Sequence, residues 1–198
     1  MKSSVVRHFE QAAGSYSAVR HTGLVGNLVK KEIAGIKEFL PEVRGKWVLD
    51  LGCGTGVYTE LLRNAGAKVV AVDIAHAMAK RTQKCEPKVV VASITTVSFK
   101  RKFDVVVCGG ALEFIPNQEC AFRNVVSLLK PKGVFLAVYP RRSIGGVLYG
   151  WYHKIINTIT ITVLSDRSFD EAMTAAGLLL EDVKTVNFIS CVLLARKI

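Results

Sequence analysis

Apolar and polar positions along the chain change period several times, and those changes outline its elements. Residues 5–40 carry a mainly helical pattern that stops near Pro41. Short apolar runs near 46–51, 68–73, 88–92, 103–108 and 133–139 then read as strands. Helical patterns near 57–64, 75–84 and 118–129 separate them, with Gly66 suited to end the first. Strands alternating with helices predict an α/β fold with a doubly wound, mostly parallel sheet. Ser168-Phe-Asp-Glu171 reads as a capping box that opens a helix ending at Gly177. Two more apolar strands follow, about 179–187 and 190–197. No internal repeat, low-complexity segment or composition break appears, so a single domain over 1–198 is expected.

Composition adds a compartment and a charge. Half of the 198 residues are hydrophobic and mean hydropathy is +0.30, enough for a sizeable core. Met1-Lys-Ser-Ser-Val-Val-Arg-His-Phe9 has no apolar core of a signal peptide. The apolar stretch Ile144 to Leu164 is broken by His153, Lys154, Asn157 and several threonines, so a transmembrane helix is not expected. Cysteines 53, 85, 108, 120 and 191 are odd in number and lack metal-ligand spacing. They read as reduced thiols in a cytoplasmic protein with no metal site. The formal charge of +11 favours nucleic acid, an anionic membrane surface or an acidic substrate, against a basic surface with no partner.

The chemistry concentrates in Val48-Leu-Asp-Leu-Gly-Cys-Gly-Thr-Gly56, where an apolar strand runs into a glycine-rich turn. Gly52, Gly54 and Gly56 allow a sharp turn on which a ligand can lie directly, with Cys53 as small filler and Thr55 beside it. The following helix aims its first N–H groups at that ligand. Asp73 ends the next strand, where a carboxylate accepts hydrogen bonds from a ribose diol. Asp50, beside the turn, suits a cationic ligand. The spacing G-x-G-x-G is not the nicotinamide G-x-G-x-x-G, and no Gly-Lys-Ser/Thr of a P-loop follows.

This stretch resembles motif I of class I S-adenosylmethionine-dependent methyltransferases. The likeness continues through Asp73, through Phe103-Asp-Val-Val-Val-Cys-Gly-Gly-Ala-Leu-Glu-Phe-Ile-Pro116, and through Leu129-Lys-Pro-Lys-Gly-Val-Phe-Leu136. It implies a Rossmann-like sheet of seven strands, closed by a C-terminal antiparallel hairpin, and S-adenosylmethionine as cofactor. It also implies that a helical cap (1–40) and the segment 140–165 cover a substrate pocket. Phe9-Glu-Gln-Ala-Ala-Gly-Ser-Tyr16 resembles the opening of small-molecule members acting on quinone precursors and on malonyl-acyl carrier, where the tyrosine closes over the cofactor.

Ligands of such sheets lie outside the carboxyl ends of the strands. Beside Asp73, Ile74 is placed against the adenine, and Met78 reads as helix packing. After the third strand, Ser93 and Ile94 stand where relatives often carry an aspartate for the adenine amino group. After the fourth, Cys108 and Gly109 are placed by the methionine part, and Glu113 reads as a helix N-terminal acid, a base or a metal ligand. The Asn/Asp-Pro-Pro-Tyr/Phe and Pro-Cys signatures of nucleic-acid base methylation are absent from this loop. After the fifth, Tyr149, Trp151, Tyr152, Arg141, Arg142, His153 and Lys154 suit an apolar acceptor, an anionic bilayer, or plain packing of a capping helix. His8 and His21 have no partner in sequence.

The expected reaction is in-line methyl transfer to a small, hydrophobic acceptor, driven mainly by proximity and orientation. His153, Glu113 and Tyr149 are the candidate bases. Two alternatives stay open: an RNA or protein methyltransferase using the basic surface, and a non-catalytic cofactor-binding partner subunit.

Overall fold

The computed structural model describes residues 4–198 except 87, 157, 158 and 164, and the backbone alone at 15, 17–21, 156 and 166. The side chain of His21 and the whole of Asn157 therefore lie outside the described residues. Two helices lead, α1 (Ser4–His21) and α2 (Gly23–Phe39). Then come β1 (Trp47–Leu51), α3 (Val57–Asn64), β2 (Lys68–Asp73), α4 (His76–Thr82), β3 (Val89–Val91) and β4 (Phe103–Gly109). A single 3₁₀ turn, Leu112–Phe114, precedes α5 (Gln118–Leu128) and β5 (Leu129–Pro140). The chain finishes with α6 (Ile144–Ile156), α7 (Asp166–Ala176), β6 (Leu178–Thr185) and β7 (Ser190–Lys197).

The seven strands form one sheet in the order β3-β2-β1-β4-β5-β7-β6. The first five are parallel, while β7 runs antiparallel to both β5 and β6. This is the doubly wound, seven-stranded sheet with a C-terminal hairpin that the pattern and the resemblance predict. Successive side chains of a strand point to opposite faces, and the core divides accordingly. Leu49, Val106 and Phe135 pack with Phe122 of α5 and with Phe169 and Met173 of α7. Val48, Val105, Val107 and Leu136 pack against Ile36 of α2 and Leu62 of α3. Burying each such side chain contributes about 1.5–3 kcal/mol.

Boundaries move where a local signal overrides period. The leading helical region breaks at Thr22, and Gly23 adopts a left-handed φ of 57°. Helix α7 starts at Asp166, two residues before Ser168, because Ser165 accepts a hydrogen bond from the Ser168 N–H and is the cap. Gly177 ends it in a left-handed conformation, as predicted. Strand β5 begins at Leu129, four residues early, through an irregular stretch in which Lys132 has φ 59°. Strand order reverses between β1 and β4, which opens a crevice at their carboxyl ends.

Candidate functional site

A cavity of about 500 Å³ fills that crevice. Its floor is the turn after β1, with Gly52, Cys53, Gly54 and Thr55. Asp73 and Ile74 at the end of β2, Ser93 and Ile94 after β3, and Gly109 to Ala111 after β4 complete one half. Asp73 is fixed by the backbone: Gly54 N–H donates to Oδ2 at 2.8 Å and Ala75 N–H to Oδ1 at 2.8 Å. Burial raises its carboxyl above the ordinary value, opposed by N–H groups of Ala75, Gly54 and Ile74 that favour the charged form. At Gly109 the ring of Tyr58 lies where a β-carbon would stand, so only glycine lets the backbone reach the cavity here.

The other half is apolar, with Val5, Phe9, Phe114, Ile115, Pro116 and Thr160. Phe9 meets Phe114 edge-on at 5.1 Å and Tyr16 at 5.9 Å, so α1 roofs the cavity with aromatic rings. Helix α4 has no side-chain cap of its own at Ala75. Glu10 of α1 supplies one, accepting from His76 N–H at 3.1 Å and Ala77 N–H at 3.0 Å. Arg81 of α4 donates to the Gly14 carbonyl at 3.1 Å, a second tie between the two helices.

Residues 49–137 match the family described as the methyltransferase domain. Over that stretch, under half of the chain, the protein is similar to a methyltransferase domain. A ubiquinone biosynthesis O-methyltransferase of Xanthomonas euvesicatoria pv. vesicatoria is 36% identical over 109 residues, covering 50% of this chain and 46% of that protein. The chain spans about half the length of the curated relatives it matches. The crystal structure of magnesium protoporphyrin IX methyltransferase from Synechocystis PCC 6803 with bound S-adenosylmethionine superposes with a TM-score of 0.78. It is 15% identical, over 100% of this chain and 99% of that one. A cyclase shares the fold equally, with a TM-score of 0.80 at 14% identity over 98% of this chain and 94% of that one.

The fold brings most of the sequence-predicted cofactor residues into one cavity. Tyr16, Gly52, Cys53, Gly54, Thr55, Asp73, Ile74, Ser93, Ile94 and Gly109 all line it. Three do not. Asp50 is fully buried beneath the turn and accepts from Thr59 Oγ1 of α3 at 2.5 Å. Cys108 points into the core beside β5, one strand position before the glycine that reaches the cavity. Gly56 starts α3 with φ 95° and faces Thr82 and Cys85 on the far side. Met78, expected only to pack its helix, is buried and also forms cavity wall. The Cys53 thiol is pushed far above its ordinary value by burial and by the charges of Asp50 and Asp73, consistent with filler.

The lining fits S-adenosylmethionine. Thr55 Oγ1 is buried with no hydrogen-bond partner among the described residues, on the wall where polar ligand atoms would lie. Asp73 would hold the ribose diol, Ile74 the adenine face, and the backbone at Gly109 and Gly110 the amino-acid end.

None of the three candidate bases lines the domain's cavity. His153 is buried behind Phe114, ringed by Tyr149 at 4.5 Å and Tyr152 at 5.6 Å. Burial first, and the charge of His8 second, lower its pKa to about 4, so it is neutral near pH 7. His8, partnerless in sequence, thus comes close to His153 in space. Glu113 is buried in the 3₁₀ turn, and its carbonyl accepts from Thr162 N–H at 2.7 Å. Tyr149 stands on α6 against His153. Sequence reasoning did not assign Val5, Phe9, Phe114 or Thr160 to the lining. Phe9 and Phe114 carried a signal, in the N-terminal pattern and in the stretch Phe103–Pro116, while Val5 and Thr160 were marked only as parts of the two covering segments. Among the described residues no group of three His, Cys, Asp or Glu side chains could hold a metal.

Proposed function

We propose that the chain transfers a methyl group from S-adenosylmethionine to a small, apolar acceptor. One observation carries this reading: a single cavity with a glycine-and-aspartate half and an aromatic, apolar half. The bound cofactor would supply an electrophilic methyl group on sulfonium sulfur. The first half orients that group, and Phe9, Phe114 and Pro116 hold the acceptor against it, so the contribution is chiefly positional. In-line transfer onto an acceptor lone pair would leave the electron pair of the broken carbon–sulfur bond with the departing thioether.

The relatives' name as O-methyltransferases supports oxygen as the accepting atom. Among the described residues no His, Lys, Arg or Glu lines the cavity, and Asp73 sits in the cofactor half. The acceptor hydroxyl therefore ionises by its own acidity and loses its proton to water, which favours a ring hydroxyl.

The test has two arms. Calorimetry with S-adenosylhomocysteine should give binding that Asp73→Ala weakens at least about tenfold, since a charge-accepting hydrogen bond is worth roughly 1.5–3 kcal/mol; unchanged affinity rejects the cofactor site. Incubation with methyl-labelled S-adenosylmethionine and a cell extract should label the organic-extractable fraction. Label in RNA or protein alone would reject the small-molecule acceptor.

A further inference from the structure

Helix α6 is built inside out. Its inner face carries Gly145, Gly146 and His153, all buried. A β-carbon on Gly145 would overlap the Phe188 carbonyl, so the helix lies tight on the β6–β7 turn. Its outer face is a stripe of Ile144, Val147, Leu148, Trp151, Tyr152 and Ile155 at helical spacing. Ile144 is 85% exposed, Leu148 62%, Trp151 64% and Ile155 69%. Phe188, exposed beside α6, extends the stripe, tied to it by Ser143 Oγ donating to the Phe188 carbonyl at 3.1 Å. A contiguous apolar face of this kind marks an interaction site.

Charge selects the occupant. Exposed Arg142 and Lys154 stand near the two ends of the stripe, and the chain as a whole carries +11. A second copy would set these cations and two positive bodies against each other. An anionic lipid surface attracts them. Trp151 and Tyr152 combine an apolar ring with a polar edge, as the headgroup boundary requires. Thirteen residues make about 20 Å of helix, too short to cross a bilayer core of about 30 Å.

We propose that α6 docks the protein on an anionic membrane, lying in the surface plane with its stripe in the headgroup–acyl boundary and Arg142 and Lys154 against lipid phosphates. The segment after α6 returns to the cavity, where Thr160 is part of the wall and Thr162 is bonded to Glu113. Docking face and cavity wall thus belong to one stretch of chain.

The full chain, without cofactor, is mixed with vesicles of phosphatidylcholine alone or with added phosphatidylglycerol, so the result is independent of the methyl-transfer reading. Flotation should show binding to the mixed vesicles only, and Trp151 emission should shift to the blue. Arg142→Glu and Lys154→Glu should each weaken binding by about fivefold or more. Leu148→Asp should abolish it with the thermal melt and S-adenosylhomocysteine binding unchanged. No affinity for the anionic vesicles, or affinity untouched by Leu148→Asp, overturns the proposal. So does a concentration-dependent dimer that Leu148→Asp disperses, because the face would then belong to a second copy.

Discussion

Gly109 and Gly14 are the same residue type under opposite constraints. The Tyr58 ring occupies the β-carbon position of Gly109, whereas nothing lies within 4 Å of that position at Gly14. Gly109→Ala should therefore destabilise by about 1–3 kcal/mol or more through overpacking. Gly14→Ala, in the interior of α1, should be neutral or stabilising by up to about 1 kcal/mol. Urea midpoints compare the two directly; equal effects would show that Tyr58 simply moves aside. Residue by residue, the cofactor half of the cavity was legible because its parts are contiguous: strand, turn and the aspartate ending the next strand. Asp50 and Cys108 sit inside the same motifs yet face away, since alternation along a strand sends neighbours to opposite faces. A motif gives the residues of a site but not which of their side chains turn toward it.

Among elements, the joint between α1 and α4 rests on Glu10, which caps a helix end that has no cap of its own. Glu10→Ala should loosen the aromatic roof, with a loss of about 1 kcal/mol typical of a removed cap. The readout is faster dissociation of S-adenosylhomocysteine in stopped flow, restored in part by Glu10→Gln, which keeps an acceptor oxygen. Dissociation unaffected by Glu10→Ala would mean that Arg81 and the ring contacts suffice. This joint was invisible in sequence because its partners are 66 and 67 positions apart. Segment 140–165 was legible as aromatic and basic, but its role was not. Helical spacing turns Gly145, Gly146 and His153 inward and the large apolar side chains outward, so among its described residues only Thr160 lines the cavity.

At the scale of the whole molecule, acid acts through the buried imidazole of His153. Its pKa is lowered from 6.5 to about 4, so the unfolded chain binds this proton more tightly than the folded one. The associated stability is complete above about 6.5 and drains away as pH falls toward 4, by up to about 3 kcal/mol. Asp73, raised rather than lowered, opposes part of that loss as it protonates. His153→Gln should flatten the fall of urea midpoint with pH across this window, and an unaltered slope would assign acid sensitivity elsewhere. The order of the sheet carries a further consequence, this time in time rather than space. β5 and β6 never pair with each other, since β7 lies between them, antiparallel to each. During synthesis β5 therefore keeps an open edge through the making of α6, α7 and β6, and its last main-chain partners arrive only from Ser190 onward. A long, apolar, unpaired edge is adhesive toward other chains. The growing polypeptide is thus most exposed to wrong pairing just before its last strand, so a nascent chain stalled between β6 and β7 is the one most in need of a chaperone.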